Sequence, residues 1–162
     1  MEREAFVRRL GILTILLGCG LMPSAVVAES ESAEISVWTI RATEEPSEIP
    51  KELKTLSKVL ESSFKFKGYH LLNQVDGKVG EEAKRFELAE GYFAKIKHVE
   101  TKDGKIKLDI TVMVLKKKPG EEKPKPEKKL ATTVSLTPEK HQLMGGWKIK
   151  GDDRMIIAIS AK

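Results

Sequence analysis

The sequence predicts an α+β domain in which one amphipathic helix packs on layers of mostly antiparallel strands. Three observations predict it. Leu53, Leu56, Leu60 and Phe64 recur at spacings of three and four, which puts them on one face of a helix. Beyond residue 28 no second segment shows that period convincingly. The rest alternates apolar and polar residues, as in Leu130–Thr137, the period of a strand with one buried face. A single apolar stripe has to be buried, and sheet is the only partner on offer. The expected order is strand, helix, then about six to seven strands packed in two layers, with a β-sandwich closed at one end by the helix as the alternative.

Residues 1–28 come first and read as a secretory signal peptide. Arg3, Arg8 and Arg9 give a positive start, Leu10 to Met22 is uncharged and apolar, and Pro23 breaks the run. Val26-Val27-Ala28 then supplies small residues at the expected cleavage site. An uncleaved membrane anchor is the alternative, because Leu10 to Ala28 approaches the length that spans a bilayer. Leu16-Leu17-Gly18-Cys19 also resembles a lipoprotein box, in which Cys19 is lipidated. Cys19 is the one cysteine of the chain. A form cleaved after Ala28 therefore has no disulfide, catalytic thiol or thiolate metal ligand.

Glu29–Ala33 is a polar leader, and residues 34–162 form one domain. Glu34–Thr43 reads as a strand and Glu44–Ile49 as a loop. Pro50 suits the first turn of the helix, which Gly68 ends. Tyr69–Val75 is the next strand, closed by Asp76-Gly77. Lys84–Leu88 runs into the turn Ala89-Glu90-Gly91, and Tyr92–Thr101 and Lys105–Lys116 flank Lys102-Asp103-Gly104.

The register of that pair follows from its faces. A two-residue Asp-Gly turn would set Lys95 and Lys97 opposite Val112 and Ile110. A three-residue turn with Gly104 left-handed shifts the register by one and sets Tyr92, Ala94, Ile96 and His98 opposite Val114, Val112, Ile110 and Leu108. The second register buries one face, so the bulged turn is expected.

Lys116–Lys129 has no apolar residue and contains Pro119, Pro124 and Pro126, which predicts a disordered, solvated loop at the tip of a hairpin. Gln142–Met144 is a short strand before Gly145-Gly146. Met155–Ala161 is almost wholly apolar, as expected of a central strand covered on both faces.

Charge is uneven. The chain carries 29 basic and 24 acidic residues, a net of +5. Residues 1–28 hold three Arg and two Glu, leaving a net of +4. Lys116–Lys129 alone has seven Lys and three Glu, also +4. The loop could dock on an anionic surface such as lipid headgroups, or simply insulate the tip. It has no aromatic residue for stacking on bases, so nucleic acid is not expected as a partner.

Motifs that carry chemistry are scarce. His70, His98 and His141 lie far apart and outside any two-histidine metal motif. The adjacent acidic pairs Glu44-Glu45, Glu81-Glu82 and Asp152-Asp153 read as solvated loop charge. No serine sits in a nucleophile elbow, and no glycine-rich phosphate loop is present. No cofactor or metal is expected. Gly145-Gly146 reads either as a bend or close approach within a sheet or, with Trp147, as a binding edge. Candidate binding residues are thus Gly145, Gly146 and Trp147, together with Lys116, Lys117, Lys118, Lys123, Lys125, Lys128 and Lys129.

Pro50–Leu53, Phe64–Tyr69 and Gly145–Ala161 together resemble a group of small secreted bacterial proteins with one α+β domain. That resemblance implies an exported protein and no particular activity. Leu143-Met144-Gly145-Gly146 is locally similar to a β-hairpin of outer-membrane secretins, which implies at most an accessory role. The expected function is that of a non-enzymatic exported protein, periplasmic or extracellular, that binds another protein or an anionic envelope component. An accessory subunit of a secretion or pilus apparatus and a small hydrolase are the alternatives.

Overall fold

The computed structural model describes residues 31–162. Eight strands pair antiparallel in two four-stranded sheets, and one short helix accompanies them. The strands are β1 (Ala33–Thr43), β2 (Gly68–Val79), β3 (Lys84–Glu87), β4 (Tyr92–Lys102), β5 (Lys105–Lys116), β6 (Lys125–Leu136), β7 (His141–Lys148) and β8 (Arg154–Ala161). Sheet A has the order β2-β1-β8-β7 and sheet B the order β3-β4-β5-β6.

The alternation along the strands decides how the sheets stack. One face of sheet B carries Phe86, Ala94, Ile96, Leu108, Ile110 and Val112. It packs on Ile35, Val37, Ile157 and Ile159 of sheet A to make the larger core. The opposite face of sheet A is apolar only over part of its length. Ile40, Ala42, Ile156 and Ala158 there pack against Leu53, Leu56 and Leu60. The β1 and β8 strands therefore sit at the centre of three layers, and the β8 residues Met155 to Ala161 are all buried, as their composition predicts.

This arrangement meets the expectation in part: the strands are antiparallel in two sheets and the helix lies on a face of one. The helical segment is a third layer outside a sandwich, and it covers a face of sheet A rather than closing an end. It is also shorter than expected. A 3₁₀ turn at Lys51–Leu53 leads to α1 (Ser57–Ser63), and Phe64 already has extended backbone. The apolar stripe holds, but seven residues cannot cover a whole sheet, so most of the apolar surface is buried sheet on sheet.

Asp76-Gly77, expected to end a strand, lies inside one, and Gly145-Gly146 also lies inside a strand, where its reading as a close approach within a sheet holds. Asp76-Gly77 falls within β2, where a methyl group at Gly77 would come within 2.9 Å of the Phe86 ring. Gly77 is there to let an aromatic ring of sheet B reach sheet A. Gly145-Gly146 lies within β7, whose register against β8 shifts between Gly145 and Trp147. A Cβ at Gly145 would stand 2.5 Å from the Met155 carbonyl oxygen, so the pair is a bulge pressed against the neighbouring strand.

The β4–β5 register is the one expected: Tyr92, Ala94, Ile96 and His98 face Val114, Val112, Ile110 and Leu108. The device that sets it is different. Lys102 pairs with Lys105, and Asp103 and Gly104 both have positive φ, at 52° and 70°, so the turn has two residues. The one-residue shift is taken up at Val99, a bulge between His98 and Glu100.

The basic segment is also more ordered than expected. The β6 strand begins at Lys125, with Lys116 opposite Lys125 and Leu115 opposite Pro126. An edge strand accepts Pro126 because only one of its sides needs ladder bonds. Glu127 lies between Lys116 and Lys129 and bonds both, and Glu121 pairs with Lys125. The carboxylates offset the like-charge opposition that would otherwise disfavour pairing. Residues 1–28, the leader cleavage and Cys19 lie outside the described residues. Among the described residues no helix is long and apolar enough to cross a membrane.

Candidate functional site

The outer face of sheet A changes character along its strands. Its apolar part lies under the helical segment. Beyond that roof the cross-strand row is Asp76, Ser36, Ser160 and His141, one residue from each strand in sheet order. The next row, toward the roof, is Gln74, Trp38, Ala158 and Leu143. Serine and alanine on β8 leave a trough between β1 and β7, and the two rings meet over it. The Trp38 and His141 ring centroids are 5.3 Å apart at an interplanar angle of 71°. Edge-to-face contact of this kind suits the charge distribution of aromatic rings.

Hydrogen bonds fix the trough from below. Trp38 Nε1 donates to Ser36 Oγ at 2.8 Å, and Gln74 Nε2 donates to the same oxygen at 3.5 Å. Lys162 Nζ reaches Asp76 Oδ2 at 2.6 Å, spanning β1 from the end of β8. That ammonium bond, followed by one from Ser36, holds the Asp76 carboxyl below its usual range. Burial alone lowers the His141 pKa, because the half-buried imidazole loses hydration when charged. Ser36, Trp38, Gln74, Glu139, His141 and Ser160 line most of an open cleft of about 530 Å³.

The row contains a carboxylate, two hydroxyls and an imidazole, but it does not form a relay. Neighbouring strands are about 4.8 Å apart, so Asp76 and His141, three spacings apart, are separated by roughly 14 Å. Ser36 is engaged by the indole, and acid–base catalysis on a serine needs its partners in hydrogen-bond contact. The cleft sets an aromatic pair at its centre with donors and acceptors around it.

Among the residues expected from sequence to bind, Trp147 turns inward. It is half-buried on the larger core, 6.5 Å from the Tyr92 ring, and the Tyr92 hydroxyl donates to the Lys148 carbonyl at 3.1 Å. Gly145 is pressed on β8 and Gly146 is the exposed bulge residue, so the three do not make an open aromatic edge. Lys116, Lys117, Lys118, Lys123, Lys125, Lys128 and Lys129 gather at the loop end of the β5–β6 hairpin and are not part of the cleft. His98 is buried on the inner face, bonded to Thr101 Oγ1 at 2.8 Å, and His70 lies in β2 opposite Arg41. Asp153 pairs with Arg41 at 3.8 Å. Among the described residues no group of histidine, cysteine and acidic side chains is placed to hold a metal ion.

Sequence reasoning missed Trp38 and His141. The available signal was the interruption of the apolar β8 run by Ala158 and Ser160, but its meaning depends on knowing that β8 lies between β1 and β7. No family model, curated protein or solved structure matches the chain.

Proposed function

We propose that this chain is an exported, non-enzymatic binding module that takes a protein partner in the Trp38–His141 cleft. The observation that carries the reading is the abrupt end of the helical roof over sheet A, which leaves an indole and an imidazole paired in a trough with polar groups around them. Tryptophan is over-represented among residues that dominate protein interfaces, and a polar rim around an aromatic anchor is their usual anatomy. Export rests on the order of charge, apolar run and small residues in 1–28.

The test is capture from an envelope fraction on the immobilised full chain, run in parallel with Trp38→Ala and His141→Ala. A partner retained by the native chain and lost from both variants supports the reading. An identical set of captured proteins on all three overturns it. Strand addition, as an accessory subunit of a secretion or pilus apparatus would use, has the twelve-residue edge strand β2 in its favour. The β2 register shift leaves out Leu72, which is exposed, and such a bulge blunts an edge against pairing. The cleft is therefore the preferred site.

A further inference from the structure

Among the described residues no layer covers the outer face of sheet B. Burial alternates along β4 and β5, and the outward positions are Lys95 and Lys97 on β4, Asp109 and Thr111 on β5, and Thr133 on β6. Thr111, Ala131 and Thr133 are small and form the floor of an open cleft walled by Lys95 and Lys97. The row beyond, Phe93, Met113 and Lys128, leads into the basic hairpin end. Face and hairpin end are thus one continuous surface.

The charge follows that surface. The outward positions of β3 to β6 together with Lys116–Lys129 hold thirteen basic and six acidic residues, a net of +7. All other residues of 31–162 hold thirteen basic and fifteen acidic residues, a net of −2. The basic character expected of one loop is therefore spread over a whole side of the molecule. Several of these side chains are engaged: Lys97 with Asp109, Lys107 with Glu100, and Lys116 and Lys129 with Glu127. Lys95, Lys117, Lys118, Lys123 and Lys128 have no ion-pair partner among the described residues.

The distribution points to one kind of partner. The free lysines are spread along the surface and do not converge on a single point, so they match a diffuse negative potential better than one anionic group. The only large ring at an outward position, Phe93, is buried beneath the Arg85 guanidinium, 3.8 Å from its centroid, so no stacking platform is open to nucleobases. We infer that sheet B docks on the headgroup layer of an anionic lipid bilayer, with Lys95 and Lys128 on the face and Lys117, Lys118 and Lys123 at the hairpin end reaching the lipid phosphates. Basic side chains near such a surface are drawn in by its potential, and the attraction fades within a Debye length.

The experiment is co-sedimentation of the full chain with phosphatidylcholine vesicles and with vesicles that also contain phosphatidylglycerol. The apolar run in residues 10–22 contributes to both, so the reading is the difference between them. Binding should favour the anionic vesicles and fall steeply as salt is raised. Lys95→Glu with Lys128→Glu, Lys117→Glu, Lys118→Glu and Lys123→Glu in one chain should weaken anionic-vesicle binding by about tenfold or more. Trp38→Ala should leave it unchanged. Equal binding to both vesicles, or a preference that survives the charge reversal, overturns the inference. So does retention on a soluble polyanion such as heparin with no preference for anionic vesicles. If the reversed chain does not fold, the salt titration of the unaltered chain still decides, because salt-insensitive binding also overturns it.

Discussion

Trp38 and His141 are 103 positions apart in the sequence, yet their rings meet edge to face over the strand that separates them. Contact requires the small side chains of Ala158 and Ser160 beneath, since a longer residue there would fill the trough. The pair also makes the cleft sensitive to pH. Burial lowers the folded-state pKa of His141. Below the ordinary imidazole value of about 6.5 the unfolded chain therefore takes up a proton that the folded one resists. Stability from this group is complete above that pH and is lost as pH falls through the lower folded-state pKa. Trp38 emission should change over the same acid range, and His141→Gln should abolish the change. A transition that persists in His141→Gln would assign it to another group.

Gly77→Ala should destabilise the sandwich by about 1–3 kcal/mol, because the new methyl must displace the fully buried Phe86 ring. Urea unfolding measures this. Phe86→Leu in the same chain should recover part of the loss, since a smaller side chain relieves the contact. No recovery would mean that the cost arises in the β2 backbone.

The two glycines of β7 should respond differently. Gly145→Ala places a methyl against the Met155 carbonyl and the Ile156 Cα, backbone atoms of the central strand, with a backbone angle of 149° that disfavours a side chain. A loss above about 3 kcal/mol is expected. Gly146→Ala meets no atom within 4 Å and carries only the strain of its φ of 93°, so its loss should be smaller. Thermal melts of the two variants test the order.

Tyr69→Phe should cost about 1–2 kcal/mol. The Tyr69 hydroxyl is buried and shares its one proton between the carbonyls of Leu60 and Phe64 at the end of α1, where Leu60 also accepts the Phe64 N–H. The same burial raises the Tyr69 pKa. Hydrogen exchange should then rise in 57–63 before it rises in β4 and β5. Uniform exchange across the molecule would contradict the idea that this hydroxyl ties the helix to sheet A.

The sequence is most legible where a residue's neighbours share its strand or hairpin. The faces of β4 and β5 can be read from Ala94, Ile96, Ile110 and Val112, and the two-sided burial of β8 from its run of Met, Ile and Ala. The turn was less legible, because a shift at Val99 and a shift at Gly104 bury the same face. Gly77 reads as a break because its reason, a Phe86 ring, belongs to another strand, whereas Gly145-Gly146 reads as a close approach within a sheet without showing that the strand approached is β8. The cleft was invisible for the same cause: nothing in a single segment says that β8 runs between β1 and β7.

The pairing of β1 with β8 also orders events in time. Sheet B lies within residues 84–136 and joins each strand to the next in sequence, so it can form on short loops. In sheet A, Ile35 must find Ala161, a closure across most of the chain. Until the last strand is free to pair, β1 has a neighbour on one side only and the centre of the molecule is missing. A chain built this way completes its core only once its last strand has been made and is free to pair.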